Sequence, residues 1–179
     1  MAKATNMNLK NFRLWIRDPV RRLLKQKHAG FALAMISFPV LERLVRGKSG
    51  MSDRPIRDGC PFYSELAKCF PELRDPPSGT FPFVSQLFWQ GFRNGILHQA
   101  TFSKNQIKKG KERAAFCLFE PGAGVAIKVR DLKRVIVVDP FPFSESVLEL
   151  IEADFESYEK ADYVHHDLAF QHGSRIVSI

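Results

Sequence analysis

Cysteine is scarce in this chain: three residues, Cys60, Cys69 and Cys117, in 179 positions. An odd, widely spaced set with no C-x-x-C pair excludes a disulfide scaffold and a zinc knuckle, and fits a reducing compartment. Long apolar runs are missing as well. The longest, Ala29 to Leu41, covers about 13 residues where a membrane-spanning helix needs roughly 20, and Pro39 interrupts it. Lys3 to Lys27 is mixed in polarity and too long for the basic start of a signal peptide. These features lead to the expectation of a cytoplasmic protein without a membrane anchor. No serine stands in a nucleophile-elbow sequence, and Glu120-Pro121-Gly122-Ala123-Gly124 lacks the Lys-Ser/Thr and the following helix of a phosphate loop. Internal repeats and low-complexity segments are absent too.

What is present is an ordinary globular composition, 45% hydrophobic and 26% charged, with an unequal charge distribution. The net charge is +8, yet residues 135–179 carry only 2 Lys/Arg against 9 Asp/Glu. A basic body raises the local concentration of polyanions such as nucleic acid. The acidic end can pair with that body, within the chain or across a dimer. The length fits one domain, expected over 1–179, with a mobile tail at 163–179.

Hydrophobic periodicity places the elements. Asp18-Pro19 reads as the start of a short basic helix. A second helix follows from Phe31, kinked or broken at Pro39 and ending at Gly47, and a short one spans Pro61 to Phe70. Thr80 to Gln99 is an amphipathic helix with Val84, Leu87, Phe88, Gly91, Phe92, Gly95 and Ile96 on one face. Gly91 and Gly95 either admit a neighbouring helix or symmetry mate, or are small core positions. At 114–138 the period changes to strands. Residues 114–119 and 125–130 are expected to pair as an antiparallel hairpin through Pro121-Gly122, with a third strand at Val135–Val138. Ser146 and Glu149 have capping-box spacing, which predicts a last acidic helix over about 144–162. The expected fold is mainly α: an up-and-down helical bundle with a small antiparallel β insertion at about 114–138.

The chemistry concentrates at Gln90 to Gln99. An imidazole titrates near neutrality and can move protons at a ribose 2′-hydroxyl and a leaving 5′-oxygen. A guanidinium stays charged and binds phosphate oxygens as negative charge builds. Arg93 and His98 supply the two, and Asn94, four residues before His98, can hold the ring or a phosphate. The loop after them, with Lys104, Lys108, Lys109, Lys111 and Arg113, offers RNA-phosphate contacts. The plainer alternative is Arg93 in a surface ion pair and His98 favoured at a helix C-terminus by the macrodipole. His165, His166, Asp167 and His172 are a weaker candidate for metal binding.

Arg93-Asn94-Gly95-Ile96-Leu97-His98 resembles the signature of HEPN domains, the higher-eukaryote and prokaryote nucleotide-binding fold. There an Arg is followed by a polar residue, often Asn, and a His comes after four to six intervening residues. The order of elements is similar too: an apolar helix ending Glu42-Arg43-Leu44-Val45-Arg46-Gly47, a loop, the motif helix and a last helix. The resemblance implies a homodimeric bundle in which the Arg and His of both protomers meet in a cleft. It further implies a metal-independent endoribonuclease of toxin–antitoxin, defence or RNA-processing type, leaving 2′,3′-cyclic phosphate ends, with no cofactor. Arg93 then matches the phosphate-binding Arg, Asn94 the polar follower and His98 the acid/base. A protein antitoxin or regulatory partner belongs to the same picture, and so does a non-catalytic HEPN-like module that binds nucleotide or protein. In an ideal α-helix Arg93 and His98 lie about 140° and 7.5 Å apart, so one chain alone does not bring them together. A two-fold interface would.

Overall fold

A computed structural model describes residues 8–51, 54–79, 81, 83–95 and 116–161. It is mainly helical with one small sheet. The chain starts with a rod: α1 (Leu9–Phe12), a π-helical turn (π1, Arg13–Arg17) and α2 (Asp18–Leu23). Asn8 caps it, its side-chain oxygen accepting from the Asn11 N–H at 2.9 Å. Asp18-Pro19 therefore begins no helix but lies inside one. A proline ring crowds the carbonyl four residues back and has no N–H to donate. Immediately before the ring, the Asp18 N–H reaches five residues back to Arg13, and this widened turn makes room. Asp18 itself accepts from Arg17 Nε.

α3 (Gly30–Ser49) is the central element and runs unbroken through Pro39. Pro39 is half-buried and lies one turn after exposed Met35, whose carbonyl is the one that a proline N cannot serve. The helix ends at Gly50, whose φ of 64° is left-handed, and the Met51 N–H closes back to the Arg46 carbonyl at 3.0 Å. Gly47, the expected stop, is interior. Its missing side chain admits another backbone: a Cβ there would lie 1.7 Å from the Ser157 carbonyl oxygen.

α4 (Pro61–Cys69) and a 3₁₀ turn (Pro71–Leu73) precede α5 (Val84–Phe88), which continues as a second π-helical stretch, π2 (Trp89–Asn94). This helix starts at Val84 rather than Thr80. Its first N–H is satisfied by the Asp75 carboxylate at 2.9 Å, from beyond the reach of local pattern, and Phe83 ahead of it is left-handed at φ 60°. Phe38 of α3 packs against Phe88, Trp89, Phe92 and Phe143, with ring centroids 4.9 to 6.2 Å apart. These rings centre one core that runs from Phe12 to Tyr158.

The strands are β1 (Phe116–Phe119), β2 (Ile127–Arg130) and β3 (Val135–Val138), in the order β1-β3-β2. The expected hairpin between β1 and β2 does not form. β3 lies between them, parallel to β1 (Phe116 opposite Val135) and antiparallel to β2 (Ile127 opposite Val138), so the sheet is mixed. The Pro121-Gly122 turn does form, with Gly122 at φ 87° and Ala123 N–H on Glu120, but it opens a wrap rather than a hairpin. The buried Asp139 carboxylate accepts from the N–H groups of Gly122 (2.8 Å) and Gly124 (3.3 Å) and holds that wrap against the end of β3. The tight connection is instead Asp131–Lys133, closed by Arg134 at φ 48°.

Asp139 also caps α6 (Pro140–Ala153), accepting from the Phe141 N–H at 3.0 Å. The last acidic helix thus begins at an Asp-Pro pair before 144, and Ser146 is interior. Asp154 ends α6 and caps α7 (Phe155–Lys160). α3 packs against both. Glu152 of α6 draws in Arg13, Arg17 and Arg21, the closest at 3.1 Å, and Lys48 pairs with Asp154. Basic body and acidic end therefore meet within one chain. Among the described residues no helix is long and apolar enough to cross a membrane. The 163–179 tail lies outside them.

Candidate functional site

Glu42 occupies the second half of α3 in phase with Phe38 and Val45 and is 1% exposed. Burying a carboxylate costs several kcal/mol unless it is paired and hydrogen-bonded. Two arginines pair it. Arg46, one turn on, places both Nε and Nη2 at 2.9 Å from Oε1, and Arg93 of π2 donates from Nε to Oε2 at 3.0 Å. Arg46 Nη1 then donates to the carbonyls of Met51 (3.0 Å) and Arg54 (2.6 Å). One carboxylate thereby joins three pieces of chain: α3, the loop that follows it and π2.

Arg93 is thus neither in a surface pair nor turned to bulk water, with its side chain 21% exposed. The pair fixes the charge of its guanidinium from one side, in a partly buried place. Such a charge attracts an anion more strongly than it would in open water. π2 contributes to the placement. Where hydrogen bonds run five residues back, residues five apart draw toward one face, and Trp89 (3% exposed) joins Phe88 and Phe92 in the core.

At Gly91 the close approach within the chain is made by a strand rather than a helix. A Cβ at Gly91 would lie 2.6 Å from Cys117 Sγ of β1. Burial pushes the Cys117 thiol up to about 12 and raises Cys69 as well, so neither offers a thiolate at neutral pH. Tyr63 is likewise pushed up to about 12 by burial.

Of the residues singled out in the sequence, the structure brings Arg93 into a defined site and gives the backbone of Asn94 at the end of π2. His98, the loop residues Lys104, Lys108, Lys109, Lys111 and Arg113, and the C-terminal His165, His166, Asp167 and His172 lie outside the described residues. Among the described residues no group of three His, Cys, Asp or Glu could hold a metal ion. Sequence reasoning missed the role of Glu42 and Arg46. The available signal was a Glu inside the apolar stretch Phe38 to Val45, where an unpaired charge would not survive, with an Arg four residues on at its end.

No family model, no curated protein and no solved structure matches this chain.

Proposed function

We propose that this is an RNA-binding protein with metal-independent endoribonuclease activity of the HEPN type, built on a HEPN-like helical bundle, homodimeric and cytoplasmic. The observation that carries it is the pair between Arg93 and the buried Glu42. It holds a permanently charged fork at the head of the Arg-Asn-x3-His stretch, where a phosphate-binding group is required. In this reading Arg93 stabilises charge on the phosphorane-like transition state, Asn94 holds the ring or a phosphate, and His98 moves protons. Lys104, Lys108, Lys109, Lys111 and Arg113 grip the RNA backbone, and an antitoxin or regulatory partner restrains the activity.

The same pair favours a second reading. A guanidinium that ties a helix to a buried carboxylate is sufficient as a structural link, and a non-catalytic HEPN-like module binding nucleotide or a protein partner needs nothing more.

The test is cleavage of a mixed RNA pool in EDTA by the purified protein, beside His98→Ala and Arg93→Lys. The ribonuclease predicts 2′,3′-cyclic phosphate ends that disappear in His98→Ala while RNA affinity is kept. Arg93→Lys keeps a cation on Glu42 but loses the planar fork, and should slow turnover about 10²-fold or more. No cleavage by the wild type across several RNAs at low salt selects the binding module.

A further inference from the structure

A pocket of about 430 Å³ opens where the end of α3 meets the start of α4. Met51, Pro55 and Pro61 give it an apolar wall, and Arg54 and Arg57 bring two cations. Such a volume, mostly apolar with a few polar groups, is what a small planar ligand requires.

The two arginines differ from others of the helical body. Arg13, Arg17 and Arg21 gather on Glu152, and Arg46 and Arg93 share Glu42. Arg43 lies 4.8 Å over the Tyr158 ring and donates to its carbonyl. Arg54 and Arg57 are exposed and make no ion pair with any other described residue. Asp58, the acid beside them, accepts from Gln90 of π2 at 3.1 Å. Two cations that ion-pair with no other described residue, beside an apolar wall, match a ligand that carries negative charge and a flat apolar face together.

The wall is also held in place. Arg46 donates to the carbonyls of Met51 and Arg54, and the same guanidinium sits on Glu42, which holds Arg93. Gln90 ties the loop to π2 a second time. The pocket is thereby linked to the candidate phosphate-binding arginine through one carboxylate and one amide.

We propose that this pocket is a nucleotide subsite for single-stranded RNA, with a phosphodiester between Arg54 and Arg57 and a base against Met51, Pro55 and Pro61. The inference rests on the RNA reading given above and extends it. Only unpaired RNA fits, because a base must leave its stack to reach an apolar wall. An acidic peptide would satisfy the cations but leave the wall empty.

The experiment is fluorescence anisotropy of a labelled decauridylate with the full chain, over a salt series, comparing wild type and Arg54→Ala/Arg57→Ala. Arg46 bonds the Arg54 carbonyl, not its side chain, so the double variant keeps that contact, and its thermal unfolding should match the wild type. The subsite predicts affinity weakened at least about ten-fold at low salt and a log–log salt slope smaller by about 0.7, from one phosphodiester no longer neutralised on a single strand. Unchanged affinity and slope in the double variant, with the wild type binding, would overturn the subsite and leave the RNA reading standing. An abasic decamer of equal charge binding as tightly as decauridylate, or an acidic decapeptide displacing it at equal concentration, would also overturn it. Failure of the wild type to bind any RNA at low salt would overturn both.

Discussion

The two halves of α3 bury different things. The first half turns Phe38 into a cluster of rings from α5, π2 and α6, all fully or nearly fully buried. The second half, one turn later on the same face, buries a carboxylate with two guanidinium groups, and on its other side it admits a neighbouring backbone at Gly47. Apolar packing is non-directional and rewards filled volume. An ion pair is directional, and its worth depends on every member being present. One helix thus rests on packed volume along its length, with Leu41, Leu44 and Val45 buried in its second half too, and in that half on charge balance as well.

The largest effects should come from truncation at each end. Phe38→Ala and Glu42→Ala are each expected to cost about 3–5 kcal/mol in urea unfolding, the first through a cavity and the second through two cations left without their anion. Equal losses alone would not separate the two halves. Substitutions that keep volume do: Phe38→Met should cost only about 1.5 kcal/mol, whereas Glu42→Gln, nearly the same size but uncharged, should still cost about 3 kcal/mol. If Glu42→Gln proves nearly neutral, the charge is not what holds this half.

Gly47→Ala tests the close approach. A Cβ at 1.7 Å from the Ser157 carbonyl must displace α7, since neither contact is the end of a flexible side chain. A loss of about 1–3 kcal/mol is expected, with a falling unfolding midpoint as the readout. The corresponding change at exposed Gly59 should be felt only through its left-handed backbone, because a Cβ there meets nothing within 4 Å.

The smallest effect is alkaline. Burial pushes Tyr158, packed beneath Arg43, up to about 12 from a reference of 10.0, and does the same to Tyr63. The folded state keeps these phenols neutral while the unfolded chain ionises them. Their stabilisation is fully present below pH 10 and lost as pH rises from 10 to 12. Unfolding midpoints should fall over that window, and Tyr158→Phe should flatten part of the fall. An unchanged slope in that variant would remove Tyr158 as a contributor.

Much of this organisation was legible beforehand, and the misses have physical causes. Helices at α3, α4 and α6 follow from apolar spacing, which records which face meets the core. Their ends were less legible. Gly47 and Gly50 are both stop signals in sequence, but only Gly50 adopts the left-handed conformation, because Gly47 is reserved for contact with Ser157. The start of α5 was hidden because Asp75 supplies its first hydrogen bond from nine residues away. The sheet was misjudged because a turn fixes only its own four residues. Asp139, 17 residues beyond Gly122, decides where the chain goes next.

At the candidate site Arg93 stood out by its company, while its counter-charge did not. Glu42 lies 51 residues earlier, and a glutamate in an apolar helix announces that a cation must approach without saying which one.

By itself the sequence determined the mainly helical character, the basic body with an acidic end, and the stretch where phosphate chemistry would be sought. These depend on local spacing and summed charge, which chain order contains. Tertiary structure alone decided the strand order, the true helix ends and the Glu42 hub with Arg46 and Arg93. Each of these is settled by groups distant in sequence competing for one hydrogen bond or one volume, and that competition exists only once the chain is packed.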